Sequence, residues 1–440
     1  MASTNPESEP GAVTTESAPD SAAEEAAVEA SGASPELMAG SVSEYVRILF
    51  KRIRSGESGA LPIVLGLIVI VLFFQIKNSL FLSAGNLVNL MTQAAFIITL
   101  GMAEIFVLLL GEIDLAAGYT AACGAVIALW LLALNYPWWV AVLAALAATA
   151  AYGMLQGLII TRLRLPSFVV TLAGLLGLSG LLLFLINATG KIGVGGVISL
   201  NSNVINDIEG GSLSPAASWI VMIAVVLVAG LALFLRDRRR RISGLVAPPL
   251  SITLLKIAVM AVAGVVVILV ANTNRGRLTP LSGLPWVVLV VLAILVGYTV
   301  LLGRTRFGRY IYAIGGNAEA ARRAGVNLNR IRTAAFALCG LTAGITGIIY
   351  ASYLGSISSG VNGGQTVLYG VAAAVIGGTS LFGGRGKIMD ALLGGLVVGV
   401  IYNGLELLGL SASSQLMWTA LVLLAAVAVD ALTRRNRATI

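Results

Sequence analysis

The 440-residue sequence contains no histidine, which removes the commonest transition-metal ligand, acid–base catalyst and proton-relay side chain, although carboxylates could still relay protons. Charge is also scarce. Asp, Glu, Lys and Arg make up 11% of the chain against 58% hydrophobic residues, and the mean hydropathy is +0.95. That leaves too little polar surface to cover a soluble globule of this size, so the chain reads as a polytopic membrane protein. The two cysteines, Cys123 and Cys339, lie in separate apolar runs and in no CxxC or metal-ligand spacing, so neither a disulfide framework nor a metal site is indicated. Nucleotide-binding signatures are missing too. A P-loop needs Gly, four residues, then Gly-Lys-Ser/Thr. GGRGKI at 383–388 lacks the first Gly and the hydroxyl residue, and LINATGKIG at 185–193 fails likewise. No cofactor is expected, and ATP hydrolysis by this chain is excluded.

What is present is long apolar runs with charge between them. Residues 1–40 hold eight acids and no base and are rich in Ala, Ser, Glu and Pro, the composition of a disordered, acidic cytoplasmic tail. The rest of the chain sets 28 basic residues against the remaining 12 acidic ones, a net +16. A membrane protein needs those cations at its inner face, so nucleic-acid binding is an unneeded explanation. Residues 41–59 are a basic juxtamembrane segment. Within it YVRILFKRIR, 45–54, sets Tyr45, Ile48 and Leu49 opposite several cations, as in a helix lying on anionic membrane lipid; a simple stop before the first span reads equally well.

A span needs about 20 mainly apolar residues. Twelve candidates meet this criterion, near 60–77, 88–110, 115–134, 138–160, 168–186, 218–235, 252–271, 284–302, 333–353, 366–382, 388–408 and 414–433. The expected fold is an all-α, polytopic helical bundle of about 12 spans (10 to 14) over 60–433. The segment 366–382 is short and glycine-rich, which also suits a broken or re-entrant helix. With both termini in the cytoplasm, the basic tail 434–440 included, the inner segments hold 23 Lys or Arg and the outer ones four. The positive-inside rule then fixes the orientation in the cytoplasmic (inner) membrane.

Two stretches carry the functional signal. The first is GGNAEAARRAGVNLNRIRTAAFALCG, 315–340, within the long polar loop 303–332. Asn317 can N-cap a short helix over 318–324, Glu319 lies in its first turn, Arg322 and Arg323 lie near its end, and Gly325 can take the left-handed C′ position. So short a helix must be held by packing, and its apolar side is only Ala320, Ala321 and Ala324, a small face suited to a partner's groove. A solvated, membrane-hugging loop helix is the plainer reading. The segment resembles the Glu-Ala-Ala-type coupling loop of ABC importer permeases through Gly316, Asn317, Glu319, Ala320, Ala321, Gly325 and Gly340.

The second is LLLGEIDLAAGYTAA, 108–122. Carboxylates at membrane depth cost about 2.5–3.5 kcal/mol each, so Glu104, Glu112 and Asp114 should face protein or water and have partners. Asp114 could simply N-cap the helix that follows, while Gly111 and Gly118 bracket a tight turn or helix break. The stretch resembles the Gly-Gly-Ile-Asp-Leu-Ser-Val-Gly signature of the permeases of ribose, galactose and xylose importers. Gly111, Ile113, Asp114, Leu115 and Gly118 match; Glu112, Ala116 and Ala117 depart, and a Glu at that position is most similar to the xylose-type branch. The resemblance continues through 164–180 and 367–409.

The resemblance implies a homodimeric, non-enzymatic permease subunit that works with a separate ABC ATPase and a periplasmic or extracellular sugar-binding protein. Glu104, Glu112 and Asp114, as carboxylates that must face protein or water, are the candidates to line the path of a monosaccharide. From the residues alone, an ion-coupled secondary transporter using those three carboxylates as ion ligands stays open, as does a non-transporting scaffold.

Overall fold

A computed structural model describes residues 60–188, 196–245, 247–276 and 281–411, together with 47, 413–418, 420, 421 and 424. The tails 1–40 and 434–440, nearly all of 41–59 and most of the candidate span 414–433 therefore lie outside the described residues. The described chain is helical almost throughout. The first five helices are α1 (Ala60–Lys77), α2 (Ala84–Leu108), α3 (Ala117–Ala133), α4 (Trp138–Leu163) and α5 (Ser167–Ala188). After β1 (Val197–Ser199) come α6 (Asn203–Gly210), α7 (Pro215–Ile242), α8 (Leu250–Asn272) and α9 (Trp286–Arg304). Then follow α10 (Arg306–Gly316), α11 (Ala318–Arg323), α12 (Leu328–Leu354), β2 (Ser356–Ser358), α13 (Gly363–Ile376) and α14 (Ile388–Leu407).

Among the described residues eight helices, α2, α4, α5, α7, α8, α9, α12 and α14, are long and apolar enough to cross a membrane, and shorter apolar helices occupy α1, α3 and α13. These coincide with eleven of the twelve expected spans. The differences have local causes. The basic run RDRRRR at 236–241 extends α7 beyond the expected span 218–235, because Arg is a good helix former and cations near the C-terminus complement the macrodipole. The doubtful segment 366–382 takes the broken form. α13 has 14 residues, a rise of about 21 Å, against a hydrocarbon core of about 30 Å. It gives way to an irregular segment, 377–387, whose backbone is satisfied inside the protein: Ser380 N donates to Arg385 O (2.8 Å), and Gly384 N to Leu109 O (2.9 Å). β1 pairs antiparallel with β2, Val197 opposite Ser358; strands of three residues carry no alternation that a sequence reading could detect.

The described residues divide into two compact units, one built from 227–260 and the other from 60–226 and from 261 onward. In the first, the basic end of α7 and the start of α8 form a hairpin closed on Asp237, which is 1% exposed. Asp237 pairs with Arg236 (3.1 Å) and accepts from the Thr253 hydroxyl (3.0 Å), which in turn accepts from Arg241 (3.0 Å). In the second unit, α2 and α12 are central. α12 packs on α2, α3 and α4, while α14 and α13 pack on α2 and on each other. In its most apolar stretch α2 is 94% buried, against 22% for α5, whose large apolar residues Leu176 and Phe184 face outward where lipid replaces water as solvent. Small residues permit the close contacts: a Cβ at Gly347 would stand 2.0 Å from Ala121 O, and one at Gly394 1.9 Å from Ala373 O.

Candidate functional site

The polar loop 303–332 folds into two helices. Thr305 N-caps α10, its hydroxyl accepting from Gly308 N (3.2 Å), and α10 buries Gly308, Ile311 and Ile314, one residue per turn. Extended Asn317 (φ −157°) ends α10 and starts α11: its N–H donates to Ala313 O (3.0 Å), and its Oδ1 accepts from Ala320 N (2.9 Å). α11 closes through Gly325, at φ +83°, with Gly325 N donating to Arg322 O and Val326 N to Ala321 O (both 3.0 Å). Asn327 then caps α12, accepting from Arg330 N (3.1 Å). Each cap expected from the sequence is in place, and the helix has six residues.

Packing divides the alanines of α11. Ala321 is buried and Ala318 partly so, both joining the core cluster that Val326, Leu328 and Ile331 border, whereas Ala320 and Ala324 are exposed. The outward face therefore carries Ala320 and Ala324 beside Glu319, Arg322 and Arg323. Glu319 bonds both arginines (2.8 and 3.1 Å), and these contacts, Arg322 first, hold its carboxyl below the usual range. Arg304, Arg306, Arg309 and Arg330 are exposed as well, so this end is strongly basic.

α10 fixes this face to the bundle. A Cβ at Gly315 would lie 1.8 Å from Leu109 O and 2.5 Å from Gly384 N, so only glycine lets α10 meet the end of α2 and the irregular segment 377–387. The Tyr312 hydroxyl donates to Gly386 O (2.7 Å), and Asp390 Oδ2 accepts from Lys387 N (2.7 Å) and the Thr379 hydroxyl (3.0 Å), stiffening the segment beneath.

The signature carboxylates sit just inside. α2 ends where Gly111 turns left-handed (φ +77°), with Glu112 N donating to Val107 O (3.1 Å). Glu112 is buried and forms an ion pair with Arg332 of α12 (3.1 Å). Burial pushes its carboxyl up, and the guanidinium opposes that shift. Asp114 is 1% exposed. Its Oδ1 accepts from Ala116 N (3.0 Å) and Gln156 Nε2 (3.4 Å), and burial pushes the carboxyl up to about 6. Asp114 thus closes a two-residue turn ahead of α3, and it is Ala116, without a side-chain bond, that occupies the N-cap position itself. Glu104, in the last two turns of α2, is fully buried beside the Asp114 backbone, and among the described residues neither of its oxygens has a partner at full hydrogen-bond geometry. The structure gathers Glu104 and Asp114 on one buried spot beside Cys339 and sets Glu112 apart on its cation.

α10, the seating glycine Gly315 and Arg332 were not foreseen in the sequence. α10 had a signal in its apolar residues at Ile311 and Ile314, but Arg332 had none, since its partner lies far away in the chain.

Over residues 86–427 the chain matches the family model described as branched-chain amino acid transport system / permease component. It is 33% identical to the xylose transport system permease protein XylH of Escherichia coli, over 88% of this chain and 95% of that one. The corresponding protein of Haemophilus influenzae is also 33% identical, over 82% and 93%. The ribose import permease protein RbsC of Escherichia coli is 29% identical over 83% and 92%. No solved structure matches the chain. A capped, outward-facing helix seated on the end of a polytopic bundle, with relatives of this kind spanning nearly the whole length, leads to one assignment: the chain belongs to the family of branched-chain amino acid transport system permease components.

Proposed function

We propose that this chain is the membrane permease subunit of an ATP-driven importer that carries a monosaccharide, a pentose of the xylose type, across the cytoplasmic membrane. It works as a homodimer with a separate ABC ATPase and an external sugar-binding protein, and both termini lie in the cytoplasm. The observation that carries the reading is α11: a six-residue helix capped at both ends and held from below by Ala318 and Ala321. Such a helix is too short to persist in water without support, so its rigid, outward Glu319, Ala320 and Ala324 are an investment in a contact. The basic surround suits an acidic groove on a partner that brings the nucleotide site this chain lacks. Similarity to xylose and ribose permeases over most of the chain supports the substrate class. Within this reading Glu104, Glu112 and Asp114 build the wall of the sugar path at its α11 end, and the Glu112–Arg332 pair ties that wall to the helix that leaves the docking face.

The energy source tests the reading. In cells carrying all three components, uptake of labelled pentose is expected to persist when an uncoupler collapses the proton gradient while ATP is maintained, and to vanish when the ATPase is deleted. The reverse pattern would hand the three carboxylates to an ion-coupled mechanism.

A further inference from the structure

The far end of the same helices carries a second set of polar side chains that neither the docking face nor the buried carboxylates use. Asn86 and Gln93 lie seven residues apart on α2, Asn403 and Glu406 three apart on α14, and Tyr353 near the end of α12. They form one continuous network. Asn86 and Asn403 bond reciprocally through their amides (2.8 and 3.1 Å), and Asn403 Nδ2 also donates to Gln93 Oε1 (2.8 Å). Gln93 Nε2 donates to the Tyr353 hydroxyl (2.9 Å) and to Glu406 Oε2 (2.6 Å). The second Asn86 hydrogen goes to Phe81 O (2.9 Å), so every amide hydrogen in the set is spent.

The network runs from the interior to the surface. Gln93 and Asn403 are 0% and 1% exposed, Tyr353 is half-buried and Glu406 is exposed. A strut between α2 and α14 would be complete with the amides alone. Instead the chain of bonds continues to a phenol and a carboxylate whose remaining capacity is unspent among the described residues: the Tyr353 hydrogen and Glu406 Oε1. Glu406 has no ion-pair partner there either. A wall of rings adjoins them. Phe96 lies 4.8 Å from Tyr350, 6.3 Å from Tyr353 and 6.4 Å from Tyr402 by ring centroids, and Tyr402 lies 5.8 Å from Tyr369, whose hydroxyl accepts from Gln365 (2.6 Å). From α6 comes Glu209, buried with neither oxygen hydrogen-bonded among the described residues and within electrostatic reach of Tyr353.

We propose that Tyr353 and Glu406, backed by Gln93 and Asn403, form a subsite for a sugar hydroxyl at the end of the bundle opposite α11. A hydroxyl donates and accepts at once, and the subsite offers one acceptor and one donor side by side. The C–H face of a pyranose is apolar, and the Phe96–Tyr402 wall matches it. A carboxylate without a cation rejects an anionic substrate and leaves a neutral polyol as the class of ligand. The proposal rests on the transport reading above.

The test uses proteoliposomes holding the permease, its ATPase and one sugar-loaded binding protein, and reads ATP-driven uptake of labelled D-xylose and of its C3 epimer D-ribose. Tyr353→Phe and Glu406→Gln are each expected to lower D-xylose uptake about tenfold, the loss of one hydrogen bond to or beside a charge, and to shift the xylose-to-ribose ratio. Asn86→Ala, at the strut end of the network, is expected to lower the amount of assembled complex and leave the ratio as it is. Unchanged uptake in the Tyr353 and Glu406 variants overturns the subsite, as does uptake that falls only in step with assembly at a constant ratio. If a variant does not assemble, carbodiimide labelling of Glu406 in the wild-type complex decides by mass spectrometry: protection by D-xylose supports the subsite, and equal labelling overturns it. A wild-type complex with no ATP-driven sugar uptake overturns the transport reading itself, and the subsite with it.

Discussion

At the α11 end the polar side chains are charged and turned outward; about 24 Å along α2, counted from Leu109 to Gln93, they are mostly neutral amides and phenols turned inward. Glu319, Arg322 and Arg323 remain in water and exchange partners at little cost, which suits a surface that must attach to another protein. Gln93 and Asn403 could not be kept without hydrogen bonds, and once bonded they hold geometry tightly, which suits a small neutral solute. Glu112 and Arg332 combine both characters, as an ion pair that is partly withdrawn from solvent. The contrast assigns the two ends different work on the same helices: α2 and α12 both begin at one end and finish at the other.

Breaking the withdrawn pair should have the largest effect. Glu112→Leu leaves the Arg332 guanidinium, 31% exposed, without its partner, at a cost of about 1–3 kcal/mol, and uptake should fall severely at matched membrane expression. Adding Arg332→Leu should recover part of the loss. A double-mutant cycle on thermal unfolding of the purified permease checks this, with a coupling of about 1 kcal/mol or more expected. Purely additive losses would mean that the pair does no joint work.

The smallest effect is expected at Asp114. Asp114→Asn keeps the acceptor for Ala116 N and Gln156, and removes a charge from beside the buried Glu104. The sign of its pH dependence follows from the raised carboxyl. Folded Asp114 titrates near 6 against an ordinary 3.8, so the stability it contributes is full below about 3.8 and is lost as pH rises through 6. The Asn variant has no such loss and should gain on the wild type in melting temperature between pH 4 and pH 8, with near-normal uptake throughout. Asp114→Ala, which abandons the bond to Ala116, should cost about 1 kcal/mol. A severe uptake defect in Asp114→Asn would instead give this carboxylate a part in handling sugar.

Much of this was legible in the sequence because it is local. Caps at Asn317 and Gly325, the acid in the first turn and the arginines in the last are set by neighbours within a few residues, and the spans announce themselves by length and hydropathy. What escaped is what depends on distant segments. Glu112 was recognised as needing a partner, but Arg332 comes from the other half of the chain. Ala321 and Ala324 are indistinguishable by type, and only the position of α12 decides which one is buried. Asn86, Gln93, Asn403 and Glu406 lie on two helices far apart in the chain, and nothing local in the sequence says that the two helix faces meet. The irregular segment 377–387 showed only as a cluster of glycines, because its hydrogen bonds run to Leu109.

The central claim is that α11 is a docking surface held by its own chain, and recovery of the ATPase with the purified permease tests it most directly. Glu319→Arg and Ala324→Trp alter the outward face alone: Asn317 and Gly325 still cap the helix, Ala318 and Ala321 still seat it, and the exposed Glu319–arginine contacts contribute little to folding. Both variants are expected to reach wild-type levels in the membrane and to bring down no more ATPase than a mock preparation. ATPase recovered at the wild-type ratio with both variants would contradict the account.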